Sequence, residues 1–410
     1  MTPTLLLVPV AALLAAWLGL RLTRRRRRWV RAVVAVVTAV VVLGAGLQVW
    51  ARTSLDSSAM ARAMVWFEAD VDDIHRFPSR AIPAGDETLA LSTGRLPAGT
   101  LDTVLVEDGE RELGELVEQT ATTALLVLRD DEVLLERYAH GGAADRPSTS
   151  FSVAKSFLST LVGIAIERGD LGSLDDPVTD YVPELLDRDP RFAEVTLRSL
   201  VTMSSGLGYE EQGLPWSDDT VTYYAPDLRA VALAAEVEGP PGESWLYNNY
   251  NPLLMGLVLE RATGTSVSDY MARHLWQPMG AEADASWSMD SEKSGFEKLE
   301  SGVNAVARDY ARFGYLFAHE GRVDGRQVVP ADWVREATAR DSSADPAEHY
   351  QYWWWVDTER EGRFFARGNH GQYVYVDPAT DVVVVRLGRE DGDVPWSEVL
   401  RDVADRVASV

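Results

Sequence analysis

The sequence predicts an α/β body on an antiparallel sheet flanked by helices, with an all-α subdomain inserted into it and a pair of membrane-crossing helices in front. Three observations predict it. Strand-forming runs lie at both ends of the chain beyond residue 120, around 122–138 and 363–388. Between about 171 and 340, helical patterns with apolar spacing near 3.6 alternate with loops. Two uncharged apolar runs, 4–20 and 32–50, precede everything else. A sheet built from both ends of a chain, with a helical middle, is a two-subdomain design whose cleft should lie between the subdomains.

Each apolar run is close to the roughly 20 residues needed to span a bilayer. Between them stand Arg21, Arg24 to Arg28 and Arg31, and residues 1–50 contain no acid. A secretory signal puts its charge before the apolar region, with a small-residue cleavage site after it. Here the charge follows the first run. The pattern predicts a transmembrane hairpin over 1–50. The Arg loop is held in the cytoplasm by the positive-inside rule, and everything from about residue 51 lies outside the cell membrane. Membrane lipid is thus an expected partner, and a multi-pass membrane location is expected. The first run is the shorter and holds Pro9.

Residues 51–120 read as an extended N-terminal region packed on the body. DVDDIHRFPSRAIPAG is rich in turn signals, and proline biases its predecessor away from helix. A short helix closes this region. The main domain is 121–410. TALLVLRD and EVLLERYA flank Asp130-Asp131 as a hairpin. The loop GGAADRPSTS then leads into the apolar helix TSFSVAKSFLSTLVGIAIER, with Thr149 or Ser150 as its N-cap. LRSLVTMSSGL, LRAVALAAEVEG, NPLLMGLVLERATG, VSDYMARHLWQPMG and ARDYARFGYLFAHEG follow as helices, most closed by glycine. The strands return as RFFARG, QYVYVDP and DVVVVRLG, the last two joined by a turn at Asp377-Pro378-Ala379-Thr380. An amphipathic helix ends the chain.

Composition excludes several classes. The net charge is −24 over 410 residues. Seven of the 39 bases lie in the first 50 residues, so the rest carries 63 acids against 32 bases. Such a body repels nucleic acid, and none is expected as a partner. The chain has no cysteine, which excludes disulfides, thiolate nucleophiles and Cys-ligated zinc. Its six histidines include no pair at HxxxH or HxH spacing, so neither a metal site nor a cofactor is expected. No glycine-rich phosphate loop occurs.

Lysine is scarce: Lys155, Lys293 and Lys298 stand against 36 arginines. With 27 serines in the chain, chance would place a Ser three residues before a Lys about 0.2 times. It happens once, as Ser152-Val153-Ala154-Lys155. On a helix this spacing stacks both side chains on one face. The amine can then take the serine proton and leave a nucleophile. A position in the first helical turn also favours a developing oxyanion through backbone N–H groups and the helix dipole. Phe151, Phe157, Leu158 and Leu161 supply apolar surroundings, and no acid lies between Asp145 and Glu167. The plain alternative is a capping serine and a snorkelling lysine.

Two further patterns follow in order. Tyr247-Asn248-Asn249 lies in GESWLYNNYN, and Gly368-Asn369-His370-Gly371-Gln372 opens the strand QYVYVDP. Ser-x-x-Lys, then Tyr-x-Asn, then a glycine-containing triplet at a late strand resembles the penicillin-recognising serine hydrolases. It is most similar to the β-lactamase-related enzymes of the class C, esterase and 6-aminohexanoate-dimer hydrolase type. The phrases LRSLVTMSSGL, YNNYNPLLMGLVLERATG, VNAVARDYARFG and ARGNHGQYVYVDP share the resemblance, which covers about residues 65–405.

The resemblance implies the β-lactamase/transpeptidase-like fold and a set of roles. Ser152 would be acylated, Lys155 would be its base, and Tyr247 would relay the proton to the leaving group or from the deacylating water. Asn249 would bond Lys155 or the substrate amide. Asn369, His370, Gly371 and Gln372 would line the substrate site, with an oxyanion hole formed by the Ser152 N–H and one near Gln372. The family's usual Lys-Thr-Gly is replaced by Asn369-His370-Gly371, so the cation that holds a substrate carboxylate is missing. The expected function is a membrane-anchored serine hydrolase acting on small-molecule amides or esters. Alternatives are a β-lactamase or D-alanyl carboxypeptidase, or a non-catalytic module that binds cell-wall peptides. Oligomeric state is not legible.

Overall fold

The computed structural model describes residues 28–107, 109–341 and 347–410. The chain divides into two compact units, one of residues 1–69 with 212–226 and one of 70–211 with 227–410. In the first, a helix runs from Arg28 to Thr53. Its segment Ala32–Thr53 has a mean hydropathy of 2.4, and Val33, Val36, Val40, Leu43 and Leu47 are all exposed. At 1.5 Å per residue the helix is about 39 Å long, enough to cross a hydrocarbon core of about 30 Å. The first apolar run and Arg21 to Arg27 lie outside the described residues. Among the described residues there is one apolar helix long enough to cross a membrane, the second of the two expected from the sequence. A second helix, Ala59–Trp66, is capped by Ser58, whose Oγ accepts from the Ala61 N–H. Arg62 is buried there and donates to the Leu55 and Tyr224 carbonyls at 2.7 and 3.2 Å. The region after residue 51 is thus more helical than an extended drape.

The second unit is built on an eight-stranded sheet. Its main strands are β1 (Thr122–Arg129), β2 (Glu132–Tyr138), β3 (Trp354–Val356), β4 (Phe364–Gly368), β5 (Gln372–Asp377) and β6 (Val382–Gly388). Their spatial order is β3-β4-β5-β6-β1-β2, extended by Tyr350–Gln351 at one edge and Ser92–Thr93 at the other. All neighbours are antiparallel except Ser92–Thr93, which runs parallel to β2. The two ends of the chain meet where β6 pairs with β1, Val383 opposite Leu128.

The longer helices are α1 (Val153–Arg168), α2 (Tyr250–Thr263), α3 (Ala307–Ala318) and α4 (Trp396–Ala408). Alternation along the strands sends side chains to opposite faces. Leu125, Val127, Tyr375, Val382 and Val384 meet Trp396, Val399, Leu400 and Val403 of α4. Val374 and Val383 face the other way, against α3. There Gly314 fits because a Cβ would stand 2.4 Å from Val383 Cγ1. α1 packs beside α3, the rings of Phe157 and Phe313 stacking at 3.8 Å.

The stretch between 171 and 340 is not purely helical. Ala285–Ser288 and Val303–Ala305 are strands of a second, four-stranded sheet, ordered Ser79–Ile82, Ala285–Ser288, Val303–Ala305, Ser148–Thr149. Several helices are also shorter than their patterns suggest. LRSLVTMSSGL is helical only over Leu197–Val201, and Met203 then adopts φ 56°. The final strand of the second sheet delivers the chain into α1.

Candidate active site

Ser148–Thr149 pairs with Val303–Ala305, and the chain then turns sharply into α1. The turn is fixed on both sides. Ser150 N–H donates to the Val303 carbonyl at 2.7 Å, and Tyr310 Oη donates to the carbonyls of Ser148 and Val303. Phe151, buried, holds φ 45°, a left-handed conformation that costs a bulky residue about 1–3 kcal/mol. The result is that Ser152 itself, rather than Thr149 or Ser150, is the N-cap residue, with helical φ −64° and ψ −6°. Its hydroxyl does not cap the helix. The N–H groups of Val153, Ala154 and Lys155 bond back to the carbonyls of Ser150, Phe151 and Ser152, and none of these bonds uses the Ser152 N–H.

Lys155 is 1% exposed. Its Nζ lies 3.0 Å from Ser152 Oγ and donates to the Glu300 carbonyl at 2.8 Å. It also sits over the Tyr247 ring, 4.9 Å from the centroid. The spacing in sequence thus brings serine, lysine and tyrosine together. Behind Lys155 is a group no sequence pattern announces. The Glu300 carboxylate is buried and bonds Lys298 Nζ at 2.9 Å and Ser301 Oγ at 2.8 Å. Lys298 is 1% exposed and lies over the Phe77 ring at 4.5 Å.

Tyr247 is half-buried in an aromatic wall. Its ring stacks on Trp355 at 6.1 Å and meets Tyr350 edge-on at 5.9 Å. Burial pushes the Tyr350 phenol well above its usual range, so this neighbour stays neutral. Asn249 is the N-cap residue of α2, and its Nδ2 donates to Tyr209 Oη at 2.8 Å. Asn248 is buried and structural, bonding the Leu207 carbonyl and the Tyr250 N–H.

The third motif ends β4 beside the serine. A Cβ on Gly368 would stand 2.2 Å from the Ser150 carbonyl oxygen and 3.0 Å from the Ser152 nitrogen. Only glycine lets this strand approach so closely. Residues Asn369–Gly371 form a short turn with His370 at φ 60°. Asn369 is exposed, and His370 is half-buried with its ring 5.1 Å from that of Phe151. Gln372 differs from the sequence expectation. Its side chain is fully buried, bonding the carbonyls of Asn369 and Gly388 and accepting the Gly388 N–H. The amide braces the turn and the start of β5.

The turn is also held from behind by Arg386, which sequence reasoning missed. Arg386 is fully buried and directs its donors at Thr122 Oγ1 and the carbonyls of Thr120, His370, Gly371 and Glu390. Its plane lies on Trp396 at 4.2 Å. A Cβ on Gly371 would collide with its Nη1. Among the described residues, no His, Asp and Glu side chains converge on Ser152 as a metal-ligand set.

Comparison with known proteins places these features in a lineage. The β-lactamase family model matches residues 110–407. The 6-aminohexanoate-dimer hydrolase of Paenarthrobacter ureafaciens is 30% identical over 301 residues, 67% of this chain and 74% of that protein. Among solved structures, a Bacillus anthracis protein proposed to be a 6-aminohexanoate-dimer hydrolase superposes with a TM-score of 0.72 at 21% identity, covering 82% of this chain and 92% of that one. A penicillin-binding protein homologue from Caulobacter crescentus superposes with a TM-score of 0.56 at 18% identity, over 72% of this chain and 96% of that one. The sheet with its inserted helices is the β-lactamase and penicillin-binding-protein fold, and the chain belongs to the β-lactamase family as a serine hydrolase.

Proposed function

We propose that this hydrolase cleaves amide or ester bonds of small molecules through an acyl-enzyme on Ser152. The observation that carries the reading is the 3.0 Å contact between Lys155 Nζ and Ser152 Oγ, made by a buried lysine against the Tyr247 ring. Lys155 Nζ takes the hydroxyl proton as Ser152 Oγ attacks the carbonyl carbon. The oxyanion is received by the Ser152 N–H, which stands outside the helical ladder, and by the N–H of Gln372 across the close approach of Gly368. Tyr247 passes a proton to the departing amine or alcohol, and the same groups then activate the water that releases the acid. Asn249 and the turn Asn369–Gly371 border the substrate.

Similarity to 6-aminohexanoate-dimer hydrolases, together with Asn369-His370-Gly371 in place of a lysine-bearing triplet, favours linear amides and esters over β-lactams. Treating the full chain in detergent with a fluorophosphonate tests the mechanism. Peptide mass spectrometry should find the adduct on Ser152, and Ser152→Ala should lose it. Absence of an adduct on wild-type Ser152 overturns the reading. Nitrocefin turnover exceeding that of p-nitrophenyl esters and anilides would move the substrate class to β-lactams.

The apolar helix Arg28–Thr53, the preceding apolar run and the arginines between them support anchoring through two membrane helices with the catalytic body outside the cytoplasm. The cysteine-free chain allows a clean test. A membrane-impermeant maleimide applied to intact cells should label Ser92→Cys and spare Thr23→Cys. The reverse pattern refutes this topology.

A further inference from the structure

Far from Ser152, at the opposite end of the main sheet, three ligand-type side chains converge from three elements. Asp130 lies in the β1–β2 turn, Asp381 in the β5–β6 turn, and His319 is the residue that ends α3. One ligand atom from each lies within 4.8 Å of the others. The two turns are also joined by the Asp130 N–H donating to the Asp381 carbonyl at 2.9 Å. Sequence spacing could not announce this group, since its members are about 60 to 250 residues apart and metal motifs are read from short spacings.

The imidazole is oriented in the way metal-binding histidines are. Its Nδ1 lies 2.9 Å from the Tyr315 carbonyl, which has only a lone pair to offer, so Nδ1 carries the proton. The Tyr315 ring stacks on it at 3.9 Å and fixes its plane. Nε2 is thereby left with its lone pair outward, 3.6 Å from Asp381 Oδ1. Two ligands about 2.0–2.1 Å from a tetrahedral ion stand about 3.3 Å apart, so this pair is near coordination distance already.

The local charge also calls for a cation. Asp130 and Asp381 place carboxylate oxygens within 4.8 Å of each other. Among the described residues, the arginines close by are engaged elsewhere. Arg129 donates to the Val407 carbonyl, and Arg363 pairs with Asp377 and Asp405. Asp130 and Asp381 both hold φ 52°, a conformation in which Asp is tolerated, so the turns position the carboxylates without needing the ion.

We propose that Asp130, His319 and Asp381 bind one divalent transition-metal ion of the Zn²⁺ class, with water completing the tetrahedron. The ion fastens the two turns of the sheet to the end of α3. A nitrogen ligand with two carboxylates suits Zn²⁺ better than Ca²⁺ or Mg²⁺, which take oxygen-rich sets. Its role is structural, since the strands carry it away from the serine.

The test uses the full chain in detergent, stripped with a chelator and titrated with ZnCl₂ by calorimetry, alongside thermal unfolding with and without the metal. Wild type should bind one equivalent and gain in Tm. His319→Gln and Asp381→Asn should lose the binding and the gain while keeping the metal-free Tm and ester turnover. Co²⁺ should give the intense visible absorption of a tetrahedral site in wild type only. No binding by wild type, or binding that both variants retain, overturns the proposal.

Discussion

Glu300 supports Lys155 from behind, its main-chain carbonyl accepting a hydrogen bond from Lys155 Nζ at 2.8 Å while its carboxylate pairs with Lys298 at 2.9 Å. The position of Lys155, the proposed base, is therefore tied to a buried ion pair. Lys298→Met should leave the Glu300 carboxylate buried without its counter-charge. Breaking a pair of this kind costs about 3–5 kcal/mol. Thermal unfolding should show a clearly lower Tm. Lys298→Met with Glu300→Leu should recover much of it. An unchanged Tm in the single variant would show that the pair does not bear on stability.

Lys155→Ala should lower kcat/KM for an activated ester by about 10²–10⁴, the range spanned by general bases. Circular dichroism should remain that of the folded protein. Small primary amines in the buffer should restore part of the rate, since they can occupy the space left by the side chain. Rescue by amines but not by inorganic cations would separate a proton-transfer role from a packing role.

Gly368→Ala should be far more damaging than its size suggests. The new methyl would meet the Ser150 carbonyl at 2.2 Å, and the backbone of the turn that carries Ser152 would have to retreat. Overpacking of this sort costs about 1–3 kcal/mol, and the shift falls directly on Ser152. Gly114→Ala is the control. It lies in the helix Leu113–Gln119, where an added Cβ meets nothing closer than Arg137 Nη1 at 3.7 Å. There alanine should stabilise by about 0.5–1 kcal/mol. Parallel measurements of Tm and ester turnover distinguish the two outcomes.

Asp309 supplies a pH dependence. It is buried in α3, and burial pushes its carboxyl up to about 6, against the pull of the Glu282 and Ala283 N–H groups and the Arg312 guanidinium. An acid whose folded pKa is above its unfolded value of 3.8 binds its proton more readily when folded. Its contribution to stability is therefore most favourable below pH 4 and declines as pH rises toward 6, by an amount on the order of 2–3 kcal/mol. Unfolding free energies of wild type minus Asp309→Asn, measured from pH 4 to 7, should fall through this window and then level. A flat difference would refute the assignment.

Much of this architecture is legible in the residues. The runs flanking Asp130-Asp131 and Asp377–Thr380 are nearly continuous in apolar residues, as strands covered on both faces are, and each turn carries a residue that accepts positive φ. Ser152 and Lys155 declare themselves through spacing and lysine scarcity. What stays hidden depends on partners distant in sequence. Ala285–Ser288 is too short and polar to read as a strand, and it exists because Ser79–Ile82 and Val303–Ala305 pair with it. Lys298, Glu300 and Arg386 read as surface charges. They lie inside because carbonyls and counter-charges from elsewhere in the chain satisfy them. Gln372 looks like a polar residue at a site, yet its register turns the amide into the sheet.

The pairing of β6 with β1 bears on how the molecule is made. Partners such as Leu128 and Val383 are roughly 250 residues apart, so the central seam of the sheet closes only after residues 382–388 have left the ribosome. Until then β1 and β2 form a hairpin with an open, apolar edge, which is a template for wrong pairing. A nascent chain truncated before residue 382 should be aggregation-prone and lack a formed nucleophile turn.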